Sequence, residues 1–177
     1  EASAEERAAV DALLGAPASG WDGGERDIAR DGRSSRGGRP AAIAQRHLLL
    51  PAFHAVQDRV GWVSRGAMNY ICERLIVPPA EAWGVLTFYH LFATEPRATA
   101  VVHVCDDIAC RARGAESLCA SLAATLGPEG TAPDGRSTTW MRSPCLGQCE
   151  RAPAALVVRA GAPSTRVVVA PAASVDS

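Results

Sequence analysis

The chain has 177 residues, a formal net charge of −1 and 47% hydrophobic residues, enough for one or two small domains with a buried core. All 18 basic residues are arginine, which excludes a G-x-x-x-x-G-K-[ST] phosphate loop, a lysine Schiff base and a kinase strand lysine. The near-neutral charge and 5% aromatics give no drive toward nucleic acid, and no apolar run is long enough to cross a bilayer. No N-terminal signal pattern is present, and the start at Glu1 rather than Met leaves a processed or shortened beginning open. The six cysteines of such a chain point to metal or redox chemistry in a reducing, cytoplasmic setting rather than to disulfides.

Residues 3–14 predict a short helix, with Ser3 and Glu6 as a capping box and Val10, Leu13 and Leu14 as its apolar stripe. Residues 15–40 hold seven glycines and five arginines (Arg26, Arg30, Arg33, Arg36, Arg39) nearly cancelled by four acids, and read as a flexible linker or a strap on a partner. Gly32 to Arg39 lacks the lysine of a phosphate loop. Over residues 41–60, Leu49, Phe53, Val56 and Val60 recur at helical spacing, and Gly61 closes the segment. Ser64 opens a helix over 64–77 with Ala67, Met68, Ile71, Cys72, Leu75 and Ile76 on one face. Pro78-Pro79 ends it and starts a third, to about Tyr89. Short links make the three an antiparallel bundle. The aromatic-rich stretch Thr87–Phe92 fits a partner interface and core packing equally well.

The period then changes. Thr99–Val104 predicts a buried strand, 114–126 a helix, Thr138–Arg142 a second strand, and Ala154–Val158 with Thr165–Val169 a hairpin turning at Gly161–Pro163. This order describes an α/β, thioredoxin-like domain. The expected organisation is a short helix and linker over 1–40, a helical bundle over 41–95 and the α/β domain over 96–177.

Four cysteines stand as two pairs, Cys105 with Cys110 (C-x4-C) and Cys145 with Cys149 (C-x3-C), separated by 34 residues. Each pair begins just after a predicted strand. Adjacent parallel strands would open both loops at one end of the sheet, where ligand sites gather in α/β folds. A [2Fe–2S] cluster takes four thiolates and exchanges one electron. Structural zinc also takes four cysteines, which would make the chain a structural adaptor, and two disulfides would need an oxidising compartment. The C-x-x-C of a thioredoxin-type enzyme is absent. Gly147 lets backbone N–H groups approach a buried anionic centre, and Pro144 and Pro153 bracket its loop. Arg111, Arg113, Arg142 and Arg151 adjoin the loops; pointing inward they would raise a cluster's potential, but most are expected to face solvent or a partner. Asp106 and Asp107 are expected to cap the turn or the next helix. Cys72 and Cys119 read as core thiols, and His47, His54, His90 and His103 as structural.

At these residues the sequence resembles the thioredoxin-like [2Fe–2S] ferredoxin subunits of NADH-linked complexes. That family includes the small [2Fe–2S] subunit of respiratory complex I, the gamma subunit of NAD-dependent formate dehydrogenases and the diaphorase-side subunit of NAD-reducing hydrogenases. Leu49–Ser64 (LLPAFHAVQDRVGWVS) is similar to the family's first helix and turn, and Val77–Phe92 (VPPAEAWGVLTFYHLF) to its third. VHVCDDIACRARGAESL and SPCLGQCERAPAALVV resemble its two cluster loops. The resemblance implies that Cys105, Cys110, Cys145 and Cys149 ligate one [2Fe–2S] cluster. It also implies docking on a flavoprotein that carries FMN and the NAD(H) site, alongside further iron–sulfur subunits. This chain has no G-x-G-x-x-G, so hydride chemistry belongs to that partner. The C-D-D-I-A-C loop leans the resemblance toward the formate dehydrogenase branch. Two features depart from the family. The stretch 15–40 is not a family hallmark, and the expected helix after the last strand is missing, as if the chain were cut short or continued into a fused flavoprotein.

Overall fold

The computed structural model describes residues 1–17, 19, 20, 24, 43–132 and 137–172. Most of the Gly/Arg-rich stretch, including its five arginines, and residues 173–177 lie outside the described residues. The chain divides into two units, Glu1–Glu95 and Pro96–Ser177.

The first unit is helical. Helix α1 (Ala4–Leu14) starts with the expected capping box: Glu6 N–H donates to Ser3 Oγ at 3.2 Å, and Ser3 N–H donates to Glu6 Oε2 at 2.7 Å. Helix α2 spans Leu49–Val60, α3 Arg65–Leu75 and α4 Pro79–Phe88. The expected helix over 41–60 is interrupted: a 3-10 turn at Arg46–Leu48 precedes α2. Pro51 explains the break. It has no N–H for the residue 47 carbonyl and its ring clashes there, so it is tolerated only in the first turn of a helix that begins nearby. Gly61 ends α2 at φ +95°, its N–H on the Gln57 carbonyl at 2.7 Å. The buried Gln57 side chain then braces the exit from α4, donating to Leu91 O at 2.8 Å and accepting from Ala93 N at 2.7 Å. Phe53, Val56, Val63, Ile71, Leu75 and Leu86 fill the core with almost no exposure.

Helix α1, which periodicity sets apart from the bundle, packs against α2 and α3. The reason is polar as well as apolar. Val10 is fully buried in the core. The nearly buried Arg74 guanidinium pairs with Asp11 and donates to Gly15 O at 2.6 Å, closing the C-terminal end of α1. Tyr70 donates to Asp11 at 2.7 Å and carries Arg7 over its ring at 4.6 Å. Gly66 leaves room for the backbone of Glu1 and Ala2, with which a Cβ would overlap.

The second unit is a four-stranded mixed sheet in the order β2-β1-β3-β4, with β1 Ala100–Cys105, β2 Thr138–Ser143, β3 Ala155–Arg159 and β4 Thr165–Val169. Strands β1 and β2 are parallel, while β3 pairs antiparallel with both β1 and β4. The crossover from β1 to β2 carries a short helix α5 (Ile108–Ala112), which periodicity missed, and α6 (Ala115–Leu126). Leu118, Cys119 and Leu122 of α6 pack with Val104, Trp140 and Ala155 of the sheet. Trp140 Nε1 donates to the Gly127 carbonyl at 2.9 Å and closes the end of α6. The α/β, thioredoxin-like reading of this unit holds.

Glu6 ties two helix starts together. Burial pushes its carboxyl up, but hydrogen bonds from Ser64 and Ser3 outweigh burial and hold it below the usual range. A lowered folded value means stability that is present above the unfolded value and lost as pH falls through the folded one. Thermal melts are therefore expected to show stability falling below about pH 4.3, with Glu6→Gln flattening that limb. At neutral pH, Glu6→Ala is expected to cost about 1–3 kcal/mol, read by denaturant unfolding, because it removes the charged hydrogen-bond acceptor that serves both helix starts.

Candidate metal centre

Strands β1 and β2 run side by side with Val104 opposite Arg142 and Cys105 opposite Ser143. Both cysteine loops therefore leave the same end of the sheet at the same level. The first loop begins at Cys105, the last residue of β1, and reaches Cys110 inside α5. The second leaves β2 at Ser143, passes Cys145 and ends at Cys149, the first residue of a 3-10 turn (Cys149–Arg151) that periodicity also missed. Cys105 and Cys110 are buried and Cys145 and Cys149 exposed, and all four are free thiols.

Within the second loop the sulfurs of Cys145 and Cys149 lie 3.4 Å apart, too far for a disulfide and close enough to share a proton. Gly147 stands at φ +73° and points its N–H at Cys145 Sγ, 3.5 Å away. Across the loops, Ala154 braces the first pair. Its carbonyl accepts the Cys105 N–H at 2.9 Å, and its own N–H lowers the cost of a thiolate at Cys110. Burial, and then the hydrogen bond to Cys105, push the Cys110 thiol up to about 11. The shared proton with Cys145 pushes Cys149 up as well. Cys110 also feels Cys149, and Cys149 feels Cys105, so the two pairs act on one another. Cys110 and Cys149 therefore resist ionisation, and a cationic metal centre removes that penalty.

Among the described residues, no three His, Cys, Asp or Glu side chains gather closely enough to share one ion. Four thiols held as two pairs suit a two-iron centre, in which each iron takes two cysteines. The donor set is all sulfur, with backbone N–H groups aimed at two of the sulfurs, so these residues fit such a group.

The surroundings correct part of the reading of the flanking charges. Asp107 caps α5 as expected, accepting from Ile108 N at 2.7 Å. Asp106 does not cap: its carboxylate pairs with Arg111 at 3.2 Å and Arg142 at 2.9 Å. Arg142, one third exposed, takes Glu116 as well, at 2.8 Å. Arg151 donates to the Ala170 carbonyl, and Arg113 is exposed. Cys72 and Cys119 are buried, and burial pushes both thiols up, as inert core thiols require. His103 is buried in β1, His54 stacks 4.7 Å from Phe92, and His47 bonds the Ala44 carbonyl. The stretch Thr87–Phe92 divides: Phe92 packs on the core while Phe88 is 79% exposed.

Residues 39–165 match the model of the family described as thioredoxin-like [2Fe-2S] ferredoxin. The chain belongs to that family. Its cofactor is one [2Fe–2S] cluster. This ferredoxin is 36% identical over 110 residues to the E subunit of NADH-quinone oxidoreductase from Pseudomonas aeruginosa, covering 61% of this chain and 66% of that one. It is 34% identical over 106 residues to the same subunit from Escherichia coli, covering 59% and 63%. The match thus spans just under two thirds of those relatives. Among solved structures, an air-oxidised NAD+-reducing [NiFe]-hydrogenase superposes with a TM-score of 0.51 at 28% identity, over 62% of this chain and 19% of that one. Helix α1 lies outside the segment matched by the family model.

Gly147→Ala forces a side chain into left-handed backbone, a cost of about 1–2 kcal/mol. It is expected to lower iron and sulfide per chain after anaerobic purification. Gly161→Ala is also strained, at φ +144° in the β3–β4 turn at the opposite end of the sheet from the cysteine loops, and is expected to leave cluster content unchanged.

Proposed function

We propose that Cys105, Cys110, Cys145 and Cys149 ligate the cluster and that the chain is a non-catalytic electron-transfer subunit of an NAD(H)-linked oxidoreductase. The observation that carries this reading is the parallel pairing of β1 and β2, which opens both cysteine loops at one end of the sheet. The cluster supplies one-electron exchange when bound. The chain supplies the four sulfurs, a rigid sheet edge that fixes their spacing, and backbone N–H groups that offset thiolate charge. Cys145 and Cys149 are exposed, so their loop meets the surface where a partner's redox group can approach.

The partner is a flavoprotein that holds FMN and NAD(H), within an assembly containing further iron–sulfur subunits. The relatives' names, a subunit of NADH-quinone oxidoreductase and an NAD+-reducing hydrogenase, support an NADH-linked parent. The finer assignment to a formate-oxidising complex rests on the C-D-D-I-A-C loop. Co-purifying subunits test it: a molybdenum-containing partner supports it, and a nickel-containing or quinone-reducing assembly refutes it. No helix among the described residues is long and apolar enough to cross a membrane, and six free thiols suit a cytoplasmic setting.

Anaerobically purified protein is expected to be brown, to contain two irons and two sulfides per chain, and to give one [2Fe–2S] EPR signal on reduction. Stoichiometric zinc without iron or sulfide would refute the reading. Cys105→Ser and Cys149→Ser are each expected to remove or alter that signal while far-UV circular dichroism keeps the helical content.

A further inference from the structure

Arg142 is the meeting point of four segments around the cysteine loops. It lies in β2, opposite Val104 and three residues before Cys145. Its guanidinium donates to Asp106 at 2.9 Å, to Glu116 of α6 at 2.9 and 2.8 Å, and stands 3.9 Å from Glu129. Glu129 also accepts the Arg142 backbone N–H at 2.7 Å. Asp106 follows Cys105 directly, and its own N–H donates to Ser143 O at 2.9 Å. One guanidinium therefore ties the first cysteine loop, the start of the second, α6 and the α6–β2 connection. Isolated surface pairs contribute little, but a bidentate fork within a network holds geometry.

The network also has an electrical consequence. Among the described residues of this network, three carboxylates (Asp106, Glu116, Glu129) face two guanidiniums (Arg111, Arg142), an excess of one negative charge. A cluster held by four thiolates gains a negative charge on reduction, so neighbouring negative charge opposes reduction and positive charge favours it. Resting on the ligand assignment above, we propose that Arg142 is a positioning residue that locks the two cysteine loops together and offsets the Asp106 carboxylate, holding the reduction potential up. Asp107, next to Asp106, is an exposed carboxylate with no cation within ion-pair distance among the described residues, so its effect on the sulfurs is weakened by solvent.

The test is an EPR-monitored redox titration of the full chain, with thermal melts alongside. Arg142→Gln is expected to lower the midpoint potential, Asp106→Asn and Asp107→Asn to raise it, and the Asp106→Asn/Arg142→Gln double variant to return close to the starting value. Arg142→Lys keeps the charge but loses the fork, so its potential is expected to stay near the parent's while the melting temperature falls. If Arg142→Gln fails to fold, Glu116→Gln carries the test: it removes one negative charge, spares the Arg142–Asp106 pair and is expected to raise the potential. Shifts of one sign for Arg142→Gln and Asp106→Asn, or no shift with Arg142→Gln or Glu116→Gln, would overturn the inference while the cluster assignment stands. A parent protein without iron and sulfide would overturn both.

Discussion

The parallel pairing of β1 with β2 is the constraint on which the rest depends. Strand register is discrete, because a slip of one residue turns every side chain to the other face. With Cys105 opposite Ser143, the chain leaves both strands at the same level. Two short loops then bring into one neighbourhood two cysteine pairs separated by 34 residues of sequence. The burial of Val104 and Trp140 beneath α6 holds this register, so the hydrophobic core of the second unit is also what places the sulfurs.

The site is divided between a rigid and an exposed half. Cys105 and Cys110 sit in the core cluster, anchored by strand and helix and braced by Ala154. Cys145 and Cys149 sit in a glycine-containing turn at the surface. Such an arrangement suits electron transfer. In the proposed role, the buried pair would fix the geometry, so that little reorganises when the charge changes, and the exposed pair would leave a short path to the proposed partner.

The helical unit shows how polar contacts recruit an element that apolar pattern alone leaves aside. Periodicity found α1 and its capping box, yet not its place, because the stripe of Val10, Leu13 and Leu14 is short. Its attachment depends on Glu6 reaching Ser64 and on Arg74 reaching Asp11 and Gly15, pairs more than fifty residues apart in sequence. Similarly, the 3-10 turn before α2 follows from a single proline in an otherwise helical pattern. Helix α4 presents the opposite case. It is apolar on nearly every side but buries only Ala82 and Leu86, leaving Trp83 and Phe88 exposed.

Residue type and spacing were enough to read the chemistry and the order of parts: four paired cysteines following strand-like segments, a helical block ahead of an α/β block, Ser64 and Gly61 as helix ends, and motifs specific enough to indicate the family. These are local properties, set by residue type, spacing and period. Tertiary structure alone decided which charges meet. Whether Asp106 caps a turn or pairs with Arg142, and whether Arg142 meets solvent or three carboxylates, depends on segments brought together by sheet pairing and helix packing. Ion pairs carry no periodic signature, and their partners are chosen by distance in space rather than by distance along the chain.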